Sequence, residues 1–317
     1  MNKTIYLTKT NCFYISKRIG QLQYRHNFVN DNQQNMSQVG KFNNLEVVNE
    51  VPFGFYLDAG DKGQILLPTK NAPLGCKLGD MVNAFIYHDS DDRLIATIRR
   101  PKVFVDHCAY LKVVSVTKVG VFLDWGLEKD LLVPFSEQDY PMSEGVSYVV
   151  YVFCDEETGR LAASTKLKDF LYEESSEEGG TFEAKQEVEI LICGQTDMGY
   201  KAIINGSHLG LLFRDEVFQP IKIGHSLKAY IKRIREDGKI DLCFQFHDPT
   251  ARNTLEEQIM EDLIAHDGLS TLTDKSPPDE ISKRFKVSKN VYKKAIGNLF
   301  RQKRILLDKT KITLVKK

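Results

Sequence analysis

Short runs of alternating hydrophobic and polar residues fill most of the chain before Pro249, with glycine and aspartate at the turns between them. These runs are rich in valine, isoleucine, phenylalanine and tyrosine, which predicts half-buried β-strands. After Pro249 the period becomes that of an amphipathic helix, with apolar residues four apart at Leu255, Ile259 and Leu263. The pattern therefore predicts a mainly β chain with a C-terminal α+β module.

Three segments of the β-rich region share one internal spacing, measured from Gly54, Gly120 and Gly199. Each contains about five strand-like runs in roughly 60 to 65 residues, the size of a small Greek-key barrel of the OB type. The coinciding positions lie 14, 25 and 39 or 40 residues after each glycine: Pro68, Pro134 and Phe213, then Gly79, Gly145 and Gly224, then Arg93, Arg160 and Lys239. Three OB barrels in tandem are therefore expected.

The segment after Pro249 carries the signals of a winged helix, which combines three helices with a β-hairpin. Ser276 and Pro278 mark the start of a second helix, and Ser288 is placed to cap a third. Residues 305–308 and 311–315 predict the hairpin. The third helix is expected to bury one stripe, made of Tyr292, Ala295, Ile296, Leu299 and Phe300.

These patterns divide the chain into six segments. Low hydrophobicity near the N-terminus predicts disorder there, unless the natural protein starts at Met36, and a run of Glu, Ser and Gly predicts a flexible linker. The expected boundaries are 1–37 for the N-terminal extension, 38–101 for barrel one, 102–168 for barrel two, 169–181 for the acidic linker, 182–248 for a degenerate barrel three and 249–317 for the winged helix.

The charge of the chain is balanced overall but unevenly distributed. There are 43 basic and 43 acidic residues, which by itself argues against a strongly cationic nucleic-acid binder. From Thr250 onward, however, 15 basic residues face 9 acidic ones, and between Lys283 and Lys317 there are 13 basic residues and one acid, Asp308. This asymmetry predicts an interaction surface on the C-terminal module.

Several function classes lack their sequence signals. The six cysteines contain no C-x-x-C pair, which predicts reduced thiols and no zinc site. No apolar run approaches the roughly 20 residues that span a bilayer, and no secretory signal is visible. The seven histidines show no metal-ligand spacing and are expected at the surface or in loops. We therefore expect a cytoplasmic, non-enzymatic protein without metal, cofactor or membrane contact.

Two elements of the second repeat resemble the S1 RNA-binding domain. Residues 119–126 are similar to its G-x-F-V-x-x-G core, and residues 132–136 to its G-L-V-H-x-S element, with Pro134 in place of the histidine. Three such units followed by residues 275–278 and 287–315 resemble the conserved virulence factor B family, most specifically over Ser288 to Gly297. The resemblance covers about residues 38–317. It implies three tandem S1-type OB barrels, a C-terminal winged helix and a bacterial RNA-binding regulator that acts after transcription.

The same resemblance implies a set of RNA-binding residues. In S1 domains, side chains just before the key glycine and two residues after it stack on bases, and a basic residue lies near the last hairpin. Repeat two has Val119 at the first position, and repeat three has Met198 and Lys201, so barrel three is expected to be mainly structural. The predicted RNA-binding residues are Phe53, Tyr56, Pro68 and Arg93 in barrel one and Phe122, Pro134 and Arg160 in barrel two. In the winged helix, the basic cluster itself predicts phosphate contacts by Lys289, Lys293, Lys294, Arg301 and Arg304, and a solvated basic face is the alternative.

Alternatives stay open at the level of sequence. With the opposite strand register Tyr56 and Phe122 are core residues, and Arg93 and Arg160 fit solvated turn positions equally well. The only tryptophan, Trp125, is expected to pack near a turn. The predicted function is single-stranded RNA binding by a monomeric regulator. The alternatives are a transcription regulator that binds duplex DNA, and a scaffold for ribosomal or RNA-decay proteins.

Overall fold

A computed structural model describes residues 37–176, 179–217, 220–244, 249–285 and 287–315. The predicted N-terminal extension, residues 1–37, lies outside the described residues apart from Ser37. The chain divides into two compact units, one ending at Leu171 and one beginning at Tyr172. The first unit holds two β-barrels, and the second holds a third barrel and the C-terminal helical module.

Barrel one is a closed five-stranded barrel with the strand order β1-β2-β3-β5-β4. Strands β3 and β5 are parallel, and the other neighbours are antiparallel. A 3-10 helix, Thr69–Asn71, follows β3. The strands are β1 Phe42–Val51, β2 Gly54–Asp58, β3 Gln64–Pro68, β4 Met81–His88 and β5 Leu94–Thr97.

Barrel two repeats this plan with the order β10-β9-β6-β7-β8, and β10 lies beside β8, so the sheet nearly closes. Two 3-10 helices, Phe135–Glu137 and Leu167–Asp169, follow β8 and β10. The strands are β6 Cys108–Val116, β7 Gly120–Asp124, β8 Leu131–Pro134, β9 Ser147–Cys154 and β10 Leu161–Ser164.

Barrel three, in the second unit, closes in the order β11-β12-β13-β15-β14. Its 3-10 helix, Arg214–Glu216, again follows the third strand. The strands are β11 Glu187–Thr196, β12 Gly199–Ile204, β13 His208–Phe213, β14 Ser226–Ile234 and β15 Ile240–Cys243. The three barrels confirm the mainly β fold expected from the repeat spacing.

The glycine at the origin of each repeat begins the second strand of its barrel, where the next strand runs very close. Gly54, Gly120 and Gly199 pair with Pro68, Pro134 and Phe213 across the ladder. A Cβ atom at any of the three glycines would lie well inside 3.0 Å of a backbone oxygen on the neighbouring strand. The repeat therefore needs glycine because two backbones meet there, which is the reason for the shared spacing.

Barrels one and two share one hydrophobic core. Phe85 and Tyr87 of barrel one belong to the same buried cluster as Trp125 and Leu131 of barrel two. The ring centroid of Trp125 lies 5.8 Å from that of Phe85 and 6.1 Å from that of Tyr87, in edge-to-face geometry. Trp125 is 2% exposed, and its indole N–H donates to the Lys129 carbonyl at 2.6 Å. The tryptophan packs near a turn, as expected, and also joins the two barrels.

The second unit ends in a three-helix module with a three-stranded sheet. Leu255, Ile259 and Leu263 are buried, Gly268 ends the first helix with φ of 79°, and Ser288 caps the third by accepting from the Val291 N–H at 3.4 Å. The helices are α1 Pro249–Ala265, α2 Pro278–Phe285 and α3 Lys289–Arg301, and the strands are β16 Leu269–Ser270, β17 Ile305–Leu307 and β18 Ile312–Leu314. Strand β16 extends the predicted hairpin to a third strand.

Two expectations about burial were wrong. Phe300 is 48% exposed, whereas Val291 is 9% exposed and joins the core. At about 100° per residue, Phe300 lies about 80° from Tyr292, at the edge of the buried stripe. His208 is 1% exposed rather than at the surface. It packs between the rings of Tyr172 and Phe182, with centroid distances of 5.1 and 4.9 Å.

The segment predicted as a flexible linker contacts barrel three where the structure describes it. The Tyr172 N–H donates to the Ser207 carbonyl at 3.0 Å, and the Ser175 N–H donates to the Gly238 carbonyl at 2.9 Å. Residues 172–175 are therefore held along the barrel. Among the described residues, no helix is long and apolar enough to cross a membrane.

Candidate nucleic-acid interface

Barrel one presents an exposed aromatic pair on its second strand. Phe55 and Leu57 point into the core, so the alternation of β2 turns Tyr56 outward, where it is half-buried. Phe53 precedes the strand and is 59% exposed. Pro68 pairs with Gly54, and the Thr69 N–H donates to the Phe53 carbonyl at 3.1 Å. The structure therefore brings Phe53, Tyr56 and Pro68 together and excludes the opposite register.

Arg93 lies near this aromatic pair but is already held by two carboxylates. Its guanidinium lies 2.9 Å from Asp89 and 2.7 Å from Asp91. The hydrogen bond that Arg93 donates to Asp89 raises the pKa of the guanidinium, with a smaller contribution from Tyr56. Arg93 is thus a turn residue whose charge is paired with two aspartates.

The predicted residues of barrel two line one cavity of about 470 Å³ between barrels one and two. Phe122, Pro134 and Arg160 lie in its wall, together with Tyr87 and His88 from barrel one. Phe122 is half-buried and faces out of the core, because Val121 and Leu123 point inward. Phe122 is therefore not a core residue, and the opposite strand register is excluded for barrel two.

Arg160 connects the two barrels. Its guanidinium lies 2.9 Å from the carboxylate of Asp92, at the tip of the β4–β5 hairpin of barrel one. Lys129 donates to the same carboxylate at 3.2 Å and to the Asp89 carbonyl at 2.6 Å. The cations at this edge of the cavity are therefore largely neutralised within the protein.

Barrel three has lost the aromatic pair and carries a different cluster. Phe213, at the proline position of the other barrels, has the Arg235 guanidinium 5.6 Å from its ring centroid. Arg233 and Arg235 both donate to Asp241, which is 1% exposed, at 2.7 and 2.8 Å. These arginines were not among the residues predicted from the sequence. The run of cations from Lys232 to Arg235 was the available signal.

The third helix of the C-terminal module exposes a groove of cations and amides. Asn290, Lys293, Lys294, Gly297, Asn298 and Arg301 line it. A Cβ atom at Gly297 would meet nothing within 4 Å, so packing does not require glycine at this helical position. Within the part of the chain that the structure describes, Lys293 and Lys294 form no ion pair. The predicted residues Lys289 and Arg304 lie outside the lining of this groove.

Known protein families match the two ends of the described chain. The S1 domain matches residues 39–99, which is barrel one, and the CvfB-like winged helix domain matches residues 257–314. Conserved virulence factor B of Staphylococcus epidermidis is 27% identical over 257 residues, which cover 76% of this chain and 82% of that protein. The Staphylococcus aureus protein of the same name is 28% identical over 258 residues, which cover 76% of this chain and 81% of that protein.

The chain is similar to conserved virulence factor B over most of its length. The uncharacterized protein YitL of Bacillus subtilis is 28% identical over 274 residues, 82% of this chain and 88% of that protein. A Streptococcus pneumoniae crystal structure, described as a multidomain protein with nucleic acid binding domains, has a TM-score of 0.39 and 22% identity over 87% of this chain and 98% of that one. An S1 domain and a winged helix occur together in this chain, which indicates nucleic-acid binding.

No group of three or more histidine, cysteine, aspartate or glutamate side chains that could hold a metal ion occurs among the described residues. Four candidate surfaces lie on the two units: the aromatic surface of barrel one, the cavity beside barrel two, the arginine cluster of barrel three and the helix groove.

Proposed function

We propose that this protein is a single-stranded RNA-binding regulator that acts after transcription. The observation that supports the proposal best is the exposed aromatic surface of barrel one, formed by Phe53 and Tyr56 beside Gly54 and Pro68. Unpaired bases expose their faces and stack on such side chains, whereas the bases of a duplex are already stacked on one another.

The four modules contribute unequally to this function. The barrels supply stacking surfaces, since Arg93 and Arg160 are already paired with aspartates. The winged helix supplies cations for phosphates through Lys293 and Lys294. Because the modules are joined in one chain, the second contact occurs at a high effective concentration, and weak sites together bind usefully. Discrimination between RNA sequences is expected to be modest over most of the strand, because stacking tolerates every base.

The aromatic surface can be tested with the double variant Phe53→Ala/Tyr56→Ala. Each stacked base contributes about 1–3 kcal/mol, so affinity for a U-rich single-stranded RNA is expected to fall at least about 30-fold. The measurement is fluorescence anisotropy at fixed salt, with Tyr110→Ala as the control, since Tyr110 is 44% exposed but lies on β6. The proposal would be contradicted if Tyr110→Ala lost as much RNA affinity as the double variant, or if the double variant lost none.

The winged helix can be tested by the salt dependence of binding. Removing Lys293 and Lys294 by substitution with glutamine is expected to reduce the slope of log affinity against log salt by about 1.4 for a single strand. Lys62→Gln/Lys228→Gln is the matched control, because each of these lysines is paired with a carboxylate at 2.9 and 2.7 Å. A slope that is unchanged in the first variant, or that falls equally in both, would show that the helix groove does not contact phosphates.

The second candidate function is duplex DNA binding through the groove on α3, which is favoured by its cations and by the open position at Gly297. The same binding experiment distinguishes the two functions. A duplex DNA that binds more tightly than single-stranded RNA, with no change on substitution of Phe53 and Tyr56, would transfer the function to the winged helix.

A further inference from the structure

The cavity between barrels one and two has the size and walls of a binding site for a small flat group. Its volume of about 470 Å³ falls in the range of about 300–1,000 Å³ that is typical of ligand sites. Phe122 and Phe153 contribute aromatic surface, and Trp125 and Leu131 contribute apolar surface from the shared core. Such walls accept a planar aromatic ring by stacking.

The charge of the cavity disfavours a phosphate group. The lining contains four carboxylates, Asp92, Asp130, Glu137 and Asp155, against the two cations Lys129 and Arg160. Both cations are paired with Asp92. Burial lowers the pKa of His88 below its ordinary value, so this histidine stays neutral at pH 7. The cavity is net negative and suits a neutral group that donates hydrogen bonds.

One carboxylate in the lining, that of Asp130, has no hydrogen-bond or ion-pair partner among the described residues. Asp155 accepts from the Thr158 N–H at 2.8 Å and from its hydroxyl at 2.7 Å, and Asp92 has its two cations. Asp130 is half-buried and forms no hydrogen bond or ion pair with any residue that the structure describes. Burial, and then the neighbouring carboxylate of Asp124, raise the pKa of Asp130. A half-buried carboxylate without a partner destabilises the fold. Such a destabilisation is expected for a side chain whose partner is a bound ligand.

We propose that this cavity binds a guanine base, with the Asp130 carboxylate accepting from the guanine N1–H and 2-amino groups. Guanine alone among the four RNA bases has two adjacent donors on its Watson–Crick edge, which match the two oxygens of a carboxylate. Adenine and cytosine place a ring acceptor beside their amino group, and uracil places a carbonyl on each side of its N–H. The inference rests on the proposed RNA binding and names the base that the second barrel selects.

The test uses the trinucleotides UGU, UIU and UAU and the intrinsic fluorescence of Trp125. Trp125 is the only tryptophan of the chain and lines the cavity, so its emission reports occupancy directly. UGU is expected to bind at least about fivefold more tightly than UAU, since a bidentate pair discriminates by about 1–3 kcal/mol. Inosine lacks the 2-amino group, so UIU should fall between them. The preference should weaken on acidification at a higher pH than an ordinary aspartate would give, because protonated Asp130 no longer accepts both bonds.

The variant Asp130→Asn separates a ligand role from a structural one. It is expected to bind the three trinucleotides within about twofold of one another, because the amide accepts at only one of its two atoms. Its melting temperature should be unchanged or higher, since a carboxylate that lacks a partner is removed. Glu144→Gln, which removes an exposed carboxylate of barrel two outside the cavity, should keep the preference for UGU.

The outcomes for the two proposals are distinct. If a U-rich 12-mer binds and loses affinity on substitution of Phe53 and Tyr56, but UGU binds no better than UAU, the guanine site is wrong and RNA binding stands. Persistence of the UGU preference in Asp130→Asn also overturns the guanine site. If UGU binds selectively while the 12-mer does not bind, the guanine site stands and the proposed RNA function is wrong. If no oligonucleotide binds, both are wrong.

Discussion

Replacing Gly120 with alanine is expected to unfold barrel two under conditions in which the parent protein is folded. The new Cβ atom would overlap the Val133 carbonyl oxygen and lie 3.0 Å from the Cα of Pro134. Both are backbone atoms of a paired strand, so neither can move without breaking the β7–β8 ladder. Together with the unfavourable backbone conformation at φ of 150°, this overlap should lower the free energy of unfolding by at least about 3 kcal/mol.

The matched control is Gly145→Ala in the same barrel. Gly145 also has positive φ, of 80°, but a Cβ atom there would meet nothing within 4 Å. Gly145→Ala should therefore lower the free energy of unfolding only by the backbone strain of a positive φ, about 1–2 kcal/mol. Differential scanning calorimetry of the full chain, with limited proteolysis to identify the barrel that opens, measures both. Similar losses in the two variants would show that strand approach is not the reason for glycine at position 120.

Replacing Trp125 with alanine is expected to cost about 3–5 kcal/mol, the usual loss for a buried aromatic residue of this size. The indole contacts Phe85 and Tyr87 across the junction between barrels one and two. Its removal would therefore leave a new, empty space in the core that the two barrels share. The two barrels should then unfold in separate transitions instead of one. Unfolding in denaturant, followed by far-UV circular dichroism, measures the change.

Phe135→Ala serves as the control for the tryptophan variant. Phe135 lies in the same barrel but is 53% exposed, and its removal leaves no internal cavity. The expected loss is within about 0.5 kcal/mol. A single, unshifted transition for Trp125→Ala would mean that the shared cluster does not couple the barrels.

Much of the fold was predictable from the sequence, for identifiable reasons. The period-two alternation around Gly54 and Gly120 determines which side chains face the core, so Tyr56 and Phe122 were correctly placed on the outside. The shared core was not predicted, although a signal for it exists. Ala84 to Tyr87 are buried without alternation, as in a strand covered on both faces.

The candidate sites were less predictable, because they depend on which residues meet after folding. Arg160 is in sequence a basic residue near a hairpin, and only the packing of two barrels sets it beside Asp92. Asp130 directly follows Lys129 in the sequence, and only the folded structure shows that no described residue pairs with its carboxylate. The pairing of Arg233 and Arg235 with Asp241 is a further case, since the acid lies on β15 and the two cations lie at the end of β14 and just after it.

Because barrels one and two share a core, the aromatic surface of the first and the cavity beside the second are held at a fixed separation. A strand that occupies both must span one set length, and a shorter strand can reach only one of them. Affinity should therefore rise in a single step as oligonucleotides are lengthened, and the protein would act as a molecular ruler that counts nucleotides between an anchored base and a stacked one.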